Sequence, residues 1–205
     1  NYNVLMGWDV ANQGLNGGDF NVSIGTNSSR NLITGSYNVG IGANTLYENK
    51  TNQYNVAIGN NASQNMYGDS NVSIGKDALL GATFTDATCD TTNTDATVTH
   101  DANANIVAGL GVKGSGIPNG AYIASLNSST SFELSAAATA SATNVTLTFL
   151  SRTTGSVAIG LDALTAITSG DYNTAIGYQA LDSVTTGAYN IGIGESGGSA
   201  ITTGS

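Results

Sequence analysis

The side chains best suited to nucleophilic or metal chemistry are few in this 205-residue chain. It contains one histidine, His100, and one cysteine, Cys89. A zinc site needs several ligands of these types, and a catalytic Cys–His pair would have to be formed by these two isolated residues. The sequence therefore predicts no metal site, and we expect His100 to be exposed on a strand and Cys89 to be a small buried residue.

Carboxylates and glycine-rich loops are the other candidates for chemistry. Asp77 and Asp162 each lie two residues after an Ile-Gly pair, where hydrogen bonding to a turn is a simpler role than acid/base catalysis. The pattern Gly-x-Gly-x-x-Gly begins at Gly109 and at Gly192, but neither match leads into the helix that would hold a dinucleotide pyrophosphate. We therefore predict no catalytic residues, no cofactor and no enzymatic activity.

A column of aromatic residues is a candidate contact surface. An aromatic side chain recurs directly before an asparagine, at Tyr2, Phe20, Tyr37, Tyr54, Tyr172 and Tyr189. Rings with this spacing can form a stripe that contacts sugar faces, or can pack over a loop or against a neighbouring chain, which is the commoner use. Tyr37, Tyr54, Tyr172 and Tyr189 are therefore candidate residues for contact with a glycan or a second chain.

A repeat of about 17 residues positions these side chains. Its marker is an Ile-Gly pair, preceded in the chain by a related Met6-Gly7, and the isoleucines are Ile24, Ile41, Ile58, Ile74, Ile159, Ile176 and Ile193. A fixed period of this length is typical of a solenoid, in which each coil buries its apolar face against its neighbours. The sequence predicts an all-β fold, a parallel β-roll or β-solenoid of about eight coils.

Asparagine recurs three residues before the isoleucine in almost every repeat. The column contains Asn21, Asn38, Asn55, Asn71, Asn173 and Asn190, with Ser156 as the one replacement. Equivalent residues of successive coils stack about 4.8 Å apart, so these side chains can form a ladder of amide hydrogen bonds. A simpler interpretation, that asparagine favours the bend that enters a strand, is equally structural.

Two kinds of residue alternate within the predicted strand. The isoleucine column and the valines two residues before it share one face of the strand, so we predict that Ile24, Ile41, Ile58, Ile74, Ile159, Ile176 and Ile193 form the core. The residue between them is always tiny, as in Ser23, Gly40 and Ala57. Uniform smallness indicates close packing, and we expect this second face to meet the same face of another copy of the chain.

The step of 85 residues from Ile74 to Ile159 indicates an insertion. Residues 83–151 are rich in Thr and Ala, and short alternating stretches are separated by turns such as Gly114-Ser115-Gly116. This pattern predicts a small antiparallel β-sandwich or barrel, inserted between β-roll repeats in residues 1–82 and residues 152–205. The segment from Val112 to Gly120 resembles a small β module of phage structural proteins.

The repeat resembles those of a known family. The segment Asn-Val-Ala-Ile-Gly-Asn-Asn-Ala, residues 55–62, is similar to the head repeat of trimeric autotransporter adhesins, and Gly-Asp-Tyr-Asn-Thr-Ala-Ile-Gly-Tyr-Gln-Ala-Leu, residues 170–181, resembles repeats of phage tail fibres. This resemblance implies a left-handed parallel β-roll, three chains around one axis, and a role in attachment. It also implies an extracellular location, on a virion or a cell surface.

Composition limits the possible partners. The formal charge is −9 with only five Lys and Arg, which gives no electrostatic basis for binding nucleic acid, and no apolar run is long enough to cross a membrane. The predicted partners are other copies of the chain, as a homotrimer or in an end-to-end assembly, and a cell-surface glycan or protein receptor. We expect a fibre or adhesin segment; the alternatives are an extracellular filament without receptor binding, an ice-binding solenoid and a fibre-borne glycan depolymerase.

The first and last repeats carry no polar capping coil of the kind that a free solenoid normally has. We therefore expect both ends to be covered, either by further repeats of a longer chain or by head-to-tail stacking of subunits.

Overall fold

The computed structural model describes residues 2–204, none of which is helical. They form two compact units, one of residues 2–82 with 152–204 and one of residues 83–151. The strands are β1 (Val4–Met6), β2 (Val22–Ile24), β3 (Val39–Ile41), β4 (Val56–Ile58), β5 (Val72–Ile74), β6 (Thr83–Thr91), β7 (Thr97–Thr99), β8 (Gly111–Lys113), β9 (Ile123–Ser128), β10 (Ser131–Leu134), β11 (Ala142–Leu150), β12 (Val157–Ile159), β13 (Thr174–Ile176) and β14 (Ile191–Ile193). The unit boundaries coincide with those drawn from the repeat and its interruption.

The first unit is a parallel β-solenoid, the class that the repeat predicts. Its eight strands form one sheet in the order β1-β2-β3-β4-β5-β12-β13-β14. Equivalent residues pair directly, so that Val39 lies opposite Val56 and Ile41 opposite Ile58. The same register continues from β5 to β12 although 85 residues separate the paired Ile74 and Ile159. The insertion therefore leaves the stacking of the coils unchanged.

The structure reverses the predicted sides of these strands. The tiny central residue is the buried one, with Ala57 and Ala158 at 0% exposure, whereas Ile41 and Ile176 are each 37% exposed. The prediction that the isoleucines form the core is therefore wrong. The side chains on the outer side of the sheet are those of Ile24, Ile41, Ile58, Ile74, Ile159, Ile176 and Ile193, half-buried or exposed.

The reason for this reversal is that the interior of each coil is very thin. A Cβ atom added to Gly40 would lie 2.8 Å from Ser28 Oγ and 3.0 Å from Thr45 Oγ1, both on the opposite side of the coil. Likewise, Ser23 Oγ lies 2.8 Å from Ser29 Oγ across the interior. In the seven coils from β2 onwards only Gly, Ala or Ser occupies this space, so smallness at this position comes from packing within the chain and not from a partner. In β1 the equivalent residue is Leu5, which is 44% exposed.

The rest of the solenoid core comes from the turn that follows the Ile-Gly pair. Ala-Leu pairs recur in the sequence four residues beyond the isoleucine, a pattern that predicts a second buried edge. All six of these residues have 0% exposure: Ala78, Leu79, Ala163, Leu164, Ala180 and Leu181. They belong to one apolar cluster with Ala158, Ala175, Ile167 and Val184. The aliphatic side chains of the turn therefore do the packing that the strand isoleucines were predicted to do.

The second unit is a six-stranded antiparallel sheet, which we call the barrel. Its six strands have the order β8-β11-β6-β7-β10-β9, and a bridge between Gly111 and Tyr122 brings the two ends of that order together. A buried cluster that includes Cys89, Phe132 and Phe149 fills it. Its first and last strands pair along their length, with Thr83 opposite Leu150. The ends of the inserted segment are therefore held side by side.

No helix among residues 2–204 is long and apolar enough to span a bilayer.

The glycine of each Ile-Gly pair provides a test of the stacking. Gly59 has φ +131°, and a Cβ there would lie 2.4 Å from the carbonyl oxygen of Gly75 in the next coil. We expect Gly59→Ala to lower the free energy of unfolding by about 1–3 kcal/mol for the strained φ and by a further ~1–3 kcal/mol for displacing that carbonyl. Chemical denaturation followed by circular dichroism measures the sum of the two losses.

The matched control for this variant is Gly194→Ala. Gly194 occupies the same repeat position with φ +102°, but its added Cβ would meet no atom within 4 Å. This variant should show only the smaller loss that arises from φ. Equal losses in the two variants would contradict the proposed close contact between coils.

Candidate functional site

The asparagine column forms a buried hydrogen-bond ladder along the solenoid. Asn38 is fully buried, and its Nδ2 donates to Asn21 Oδ1 at 3.1 Å and to the carbonyl of Asn52 at 2.9 Å. Its Oδ1 accepts from the backbone N–H of Asn55 at 3.1 Å and from Asn55 Nδ2 at 3.2 Å. Each amide therefore connects three successive coils through both side-chain and backbone groups.

The ladder continues past the insertion and past its one replacement. Asn71 Oδ1 accepts from the backbone N–H of Ser156 at 2.9 Å, and Ser156 Oγ accepts from the backbone N–H of Asn173 at 3.1 Å. Asn190 Nδ2 then donates to Asn173 Oδ1 at 3.1 Å. Ser156 thus supplies the hydrogen-bond acceptor that the next coil needs, but it makes no side-chain-to-side-chain hydrogen bond within the column.

A second polar ladder, which the sequence analysis did not predict, lies three residues after the isoleucine. Asn27 Nδ2 donates to Asn44 Oδ1 at 2.9 Å, Asn44 to Asn61 at 3.1 Å, and Asn61 to Asp77 at 2.8 Å. All four residues have φ near +56°, a conformation in which Asn and Asp are tolerated better than most residues. The recurrence of Asn and Asp at this position was the signal that could have identified the ladder.

Asp77 is held in this ladder as a carboxylate. Burial acts to raise its pKa, but a hydrogen bond from Lys76 and one from Asn61 outweigh that effect, so the pKa lies below its ordinary value. Lys76 Nζ lies 2.6 Å from Asp77 Oδ2. The carboxylate therefore has partners within its own turn and the neighbouring coil, in keeping with a role in hydrogen bonding.

The predicted aromatic stripe is present as two stacks of parallel rings. Centroids are 5.0–5.1 Å apart from Tyr2 through Phe20 and Tyr37 to Tyr54, and 5.2 Å apart between Tyr172 and Tyr189. Ser70 and Gly155 occupy the two positions between the stacks. All six rings are exposed. Inside a stack the ring faces are covered by neighbours, and the ring edges face solvent.

The outer side of the solenoid sheet is the face that the sequence analysis wrongly predicted to be the core. Its side chains come from the first and third residues of the eight strands, and fifteen of these sixteen positions are Val, Ile or Met, with Thr174 as the exception. We call this surface the outer face. At about 4.8 Å per strand it runs for roughly 34 Å, and it carries no charged residue. It is a regular apolar surface on the single chain.

His100 and Cys89 both lie in the barrel. The predicted burial of Cys89 is confirmed at 0% exposure, and burial raises the pKa of its thiol to about 12, with the carboxylates of Asp86 and Asp90 adding to the shift. The predicted exposure of His100 is wrong, because this side chain is only 7% exposed and packs against Phe132. A thiol with so high a pKa is protonated at neutral pH and is a poor nucleophile.

Within residues 2–204, no group of three or more His, Cys, Asp and Glu side chains is arranged to hold a metal ion.

Comparisons of this chain with protein-family models, with curated proteins and with solved structures found no match.

The asparagine ladder can be tested by two substitutions at one position. Asn38→Ala removes both acceptor and donor and leaves the backbone N–H of Asn55 buried without its partner, so we expect the free energy of unfolding to fall by about 2–4 kcal/mol. Asn38→Ser reproduces the arrangement found at Ser156 and should lose less than half as much. Denaturant titration of the two variants measures the difference, and equal losses would show that the acceptor is not what matters.

Proposed function

We propose that this chain is a structural segment of an extracellular fibre or adhesin, in which the solenoid is a rigid shaft and copies of the chain associate through their outer faces. The observation that carries this proposal is the uncharged, apolar outer face. The location and the role in attachment follow from the resemblance to adhesin and tail-fibre repeats.

Parallel sheets in folded proteins are normally covered on both sides. The coil itself covers the inner side of this sheet, where Ala57, Ser73 and Ala158 are fully buried. The outer face has no cover among the residues of the single chain that the structure describes. An apolar surface of this length is unusual on a monomer and typical of an interface.

The regularity of the outer face favours other copies of the same chain as its cover. A partner must present apolar side chains at the same coil spacing over roughly 34 Å, and a second copy does so without any further requirement. Two rows of side chains run along the face, one from the first and one from the third strand residue. In a closed threefold assembly each row can contact a different neighbour, which is the arrangement that the family resemblance implies.

The ladders suit the chain to a mechanical role. Amide hydrogen bonds connect successive coils along the buried asparagine column, and a second set connects the turns from Asn27 to Asp77. Bonds of this kind run parallel to the solenoid axis and oppose separation and slippage of the coils. A shaft that displays attachment groups at a distance needs this stiffness.

The assembly can be tested by charging the outer face. We expect the wild-type chain to sediment as a trimer of about 62 kDa, three times 20.6 kDa. Ile41→Lys combined with Ile58→Lys should give folded monomers, because buried unpaired ammonium groups are costly and the wild-type side chains at these positions point away from the core. Analytical ultracentrifugation measures the mass, and circular dichroism confirms the fold.

The matched control is Asn60→Lys. Asn60 is exposed and lies two residues after Ile58, and the next coil already has Lys76 at the equivalent position. This variant should remain trimeric. A wild-type chain that sediments as a monomer at micromolar concentration would refute the proposed assembly.

The tyrosine stacks allow a test of the attachment role. A sugar stacks on the face of an aromatic ring, and Tyr54 has one face free of a ring because Ser70 follows it in the column. Both faces of Tyr37 are covered by Phe20 and Tyr54. If these rings bind glycans, Tyr54→Ala should weaken binding to a glycan identified on an array by about 2- to 10-fold, and Tyr37→Ala should weaken it less.

The opposite order of the two effects, or no effect of either variant on a glycan that does bind, would contradict sugar stacking. The tyrosines would then serve in packing between chains.

A further inference from the structure

The barrel contains an open groove of about 440 Å³ that has no role in the proposed assembly. Its lining is mostly apolar and includes Ile106, Val107 and Leu126, with Ser128 and Asn103 among the polar residues. A space of this size fits a molecule of one or two rings. Leu126 is 46% exposed, so a large apolar side chain on the groove is uncovered in the single chain.

His100 also lines this groove, and one of its nitrogens has no partner. Its Nδ1 lies 2.5 Å from the carbonyl oxygen of Asp101, and because a carbonyl only accepts, Nδ1 must carry the proton. In the neutral tautomer with its proton on Nδ1, Nε2 is an acceptor. It is buried and forms no hydrogen bond to any residue of the described chain. A buried acceptor without a donor is rare and unfavourable, and a ligand that supplies the donor removes that cost.

The neighbouring carboxylate does not fill this gap. Asp86 Oδ2 accepts from Asn103 Nδ2 at 2.8 Å, and Asp86 Oδ1 accepts from the backbone N–H and hydroxyl of Thr88 at 2.9 and 2.6 Å. Burial acts to raise the pKa of Asp86, but the hydrogen bonds from Asn103 and Thr88, together with the nearby His100, outweigh it and keep the pKa below its ordinary value. Asp86 is therefore ionised and fully engaged, and it has no proton to donate to His100.

We infer that this groove binds a small, neutral molecule of the phenol class, with its ring against Ile106 and Leu126 and its hydroxyl donating to Nε2 of His100. His100 lines the groove but its Nε2 is buried, so the proposal requires the groove wall to open over this atom. The apolar lining excludes a strongly polar ligand. The barrel also has five acidic residues and one lysine, Lys113, which disfavours anions.

A small molecule suits the groove better than an extended peptide. Both β9 and β10 beside the groove already pair with barrel strands, β10 with β7 and β9, and the barrel closes through Tyr122. β10 therefore has no free edge for an added strand, and β9 is bonded on its other side at Ile123, to Leu110 and Gly109. The occupant is held by the groove itself and by the single acceptor.

The test uses the full chain and a pair of ligands of the same shape. p-Cresol carries the hydroxyl, and p-xylene has a methyl group in its place. His100 is the only histidine, so one imidazole signal in the ¹H–¹³C and ¹⁵N spectra reports on the site. We expect p-cresol to shift this signal saturably and to bind about 3- to 10-fold more tightly than p-xylene. The anion 4-hydroxybenzoate should bind more weakly than p-cresol.

Two variants separate the acceptor from the apolar wall, with binding followed by ligand-detected saturation transfer. His100→Phe retains a ring on Phe132 but has no acceptor, so p-cresol and p-xylene should bind it equally. Leu126→Ser should weaken both ligands alike, whereas Leu161→Ser, at a leucine of similar exposure in the solenoid, should leave both unchanged.

Equal affinity of the wild-type chain for p-cresol and p-xylene would overturn the assignment, as would the absence of saturable binding at millimolar concentration. Tighter binding of N-acetyltyrosine amide than of p-cresol would replace the small molecule with a tyrosine side chain of a protein partner.

Discussion

The thinness of the coil interior is the constraint on which the solenoid depends. The strand and the opposite turn approach so closely that a Cβ on Gly40 would already be within 3.0 Å of two hydroxyl oxygens. This distance admits only tiny side chains inside, and it forces every valine and isoleucine of the strand to the outer side. The outer face, and with it the case for association between copies, is therefore a consequence of how little space lies within one coil.

The sequence predicted the features that depend on spacing. The period predicted parallel stacking of coils, the aligned asparagines predicted the buried ladder, and the interruption after Ile74 predicted an inserted segment. Each of these follows from position along the chain, because in-register stacking brings equivalent residues of successive coils together. The Ala-Leu edge was also predicted, since its residues are apolar and recur at the same place.

The sequence did not predict the features that depend on which side of an element faces inward. Alternation along a strand shows that Val and Ile share one face but does not say whether that face is the inside. Hydrophobicity favoured the wrong side, and only the distance across the coil decides the matter. The burial of His100 and its unpartnered Nε2 were missed for a related reason, because they arise from contacts with Phe132 and Asp101 within a barrel that has no repeat to align.

The pairing of Thr83 with Leu150 at the two ends of the barrel also has an entropic consequence for the shaft. Paired antiparallel residues lie about 4.5–5.5 Å apart, so the folded barrel holds the two ends of the inserted segment close together. If the barrel were to unfold, its residues would become a long flexible loop whose closure costs about 4 kcal/mol. The β5–β12 junction would bear that cost. Folding of the barrel, which holds these ends together by hydrogen bonds, is thus thermodynamically linked to folding of the solenoid.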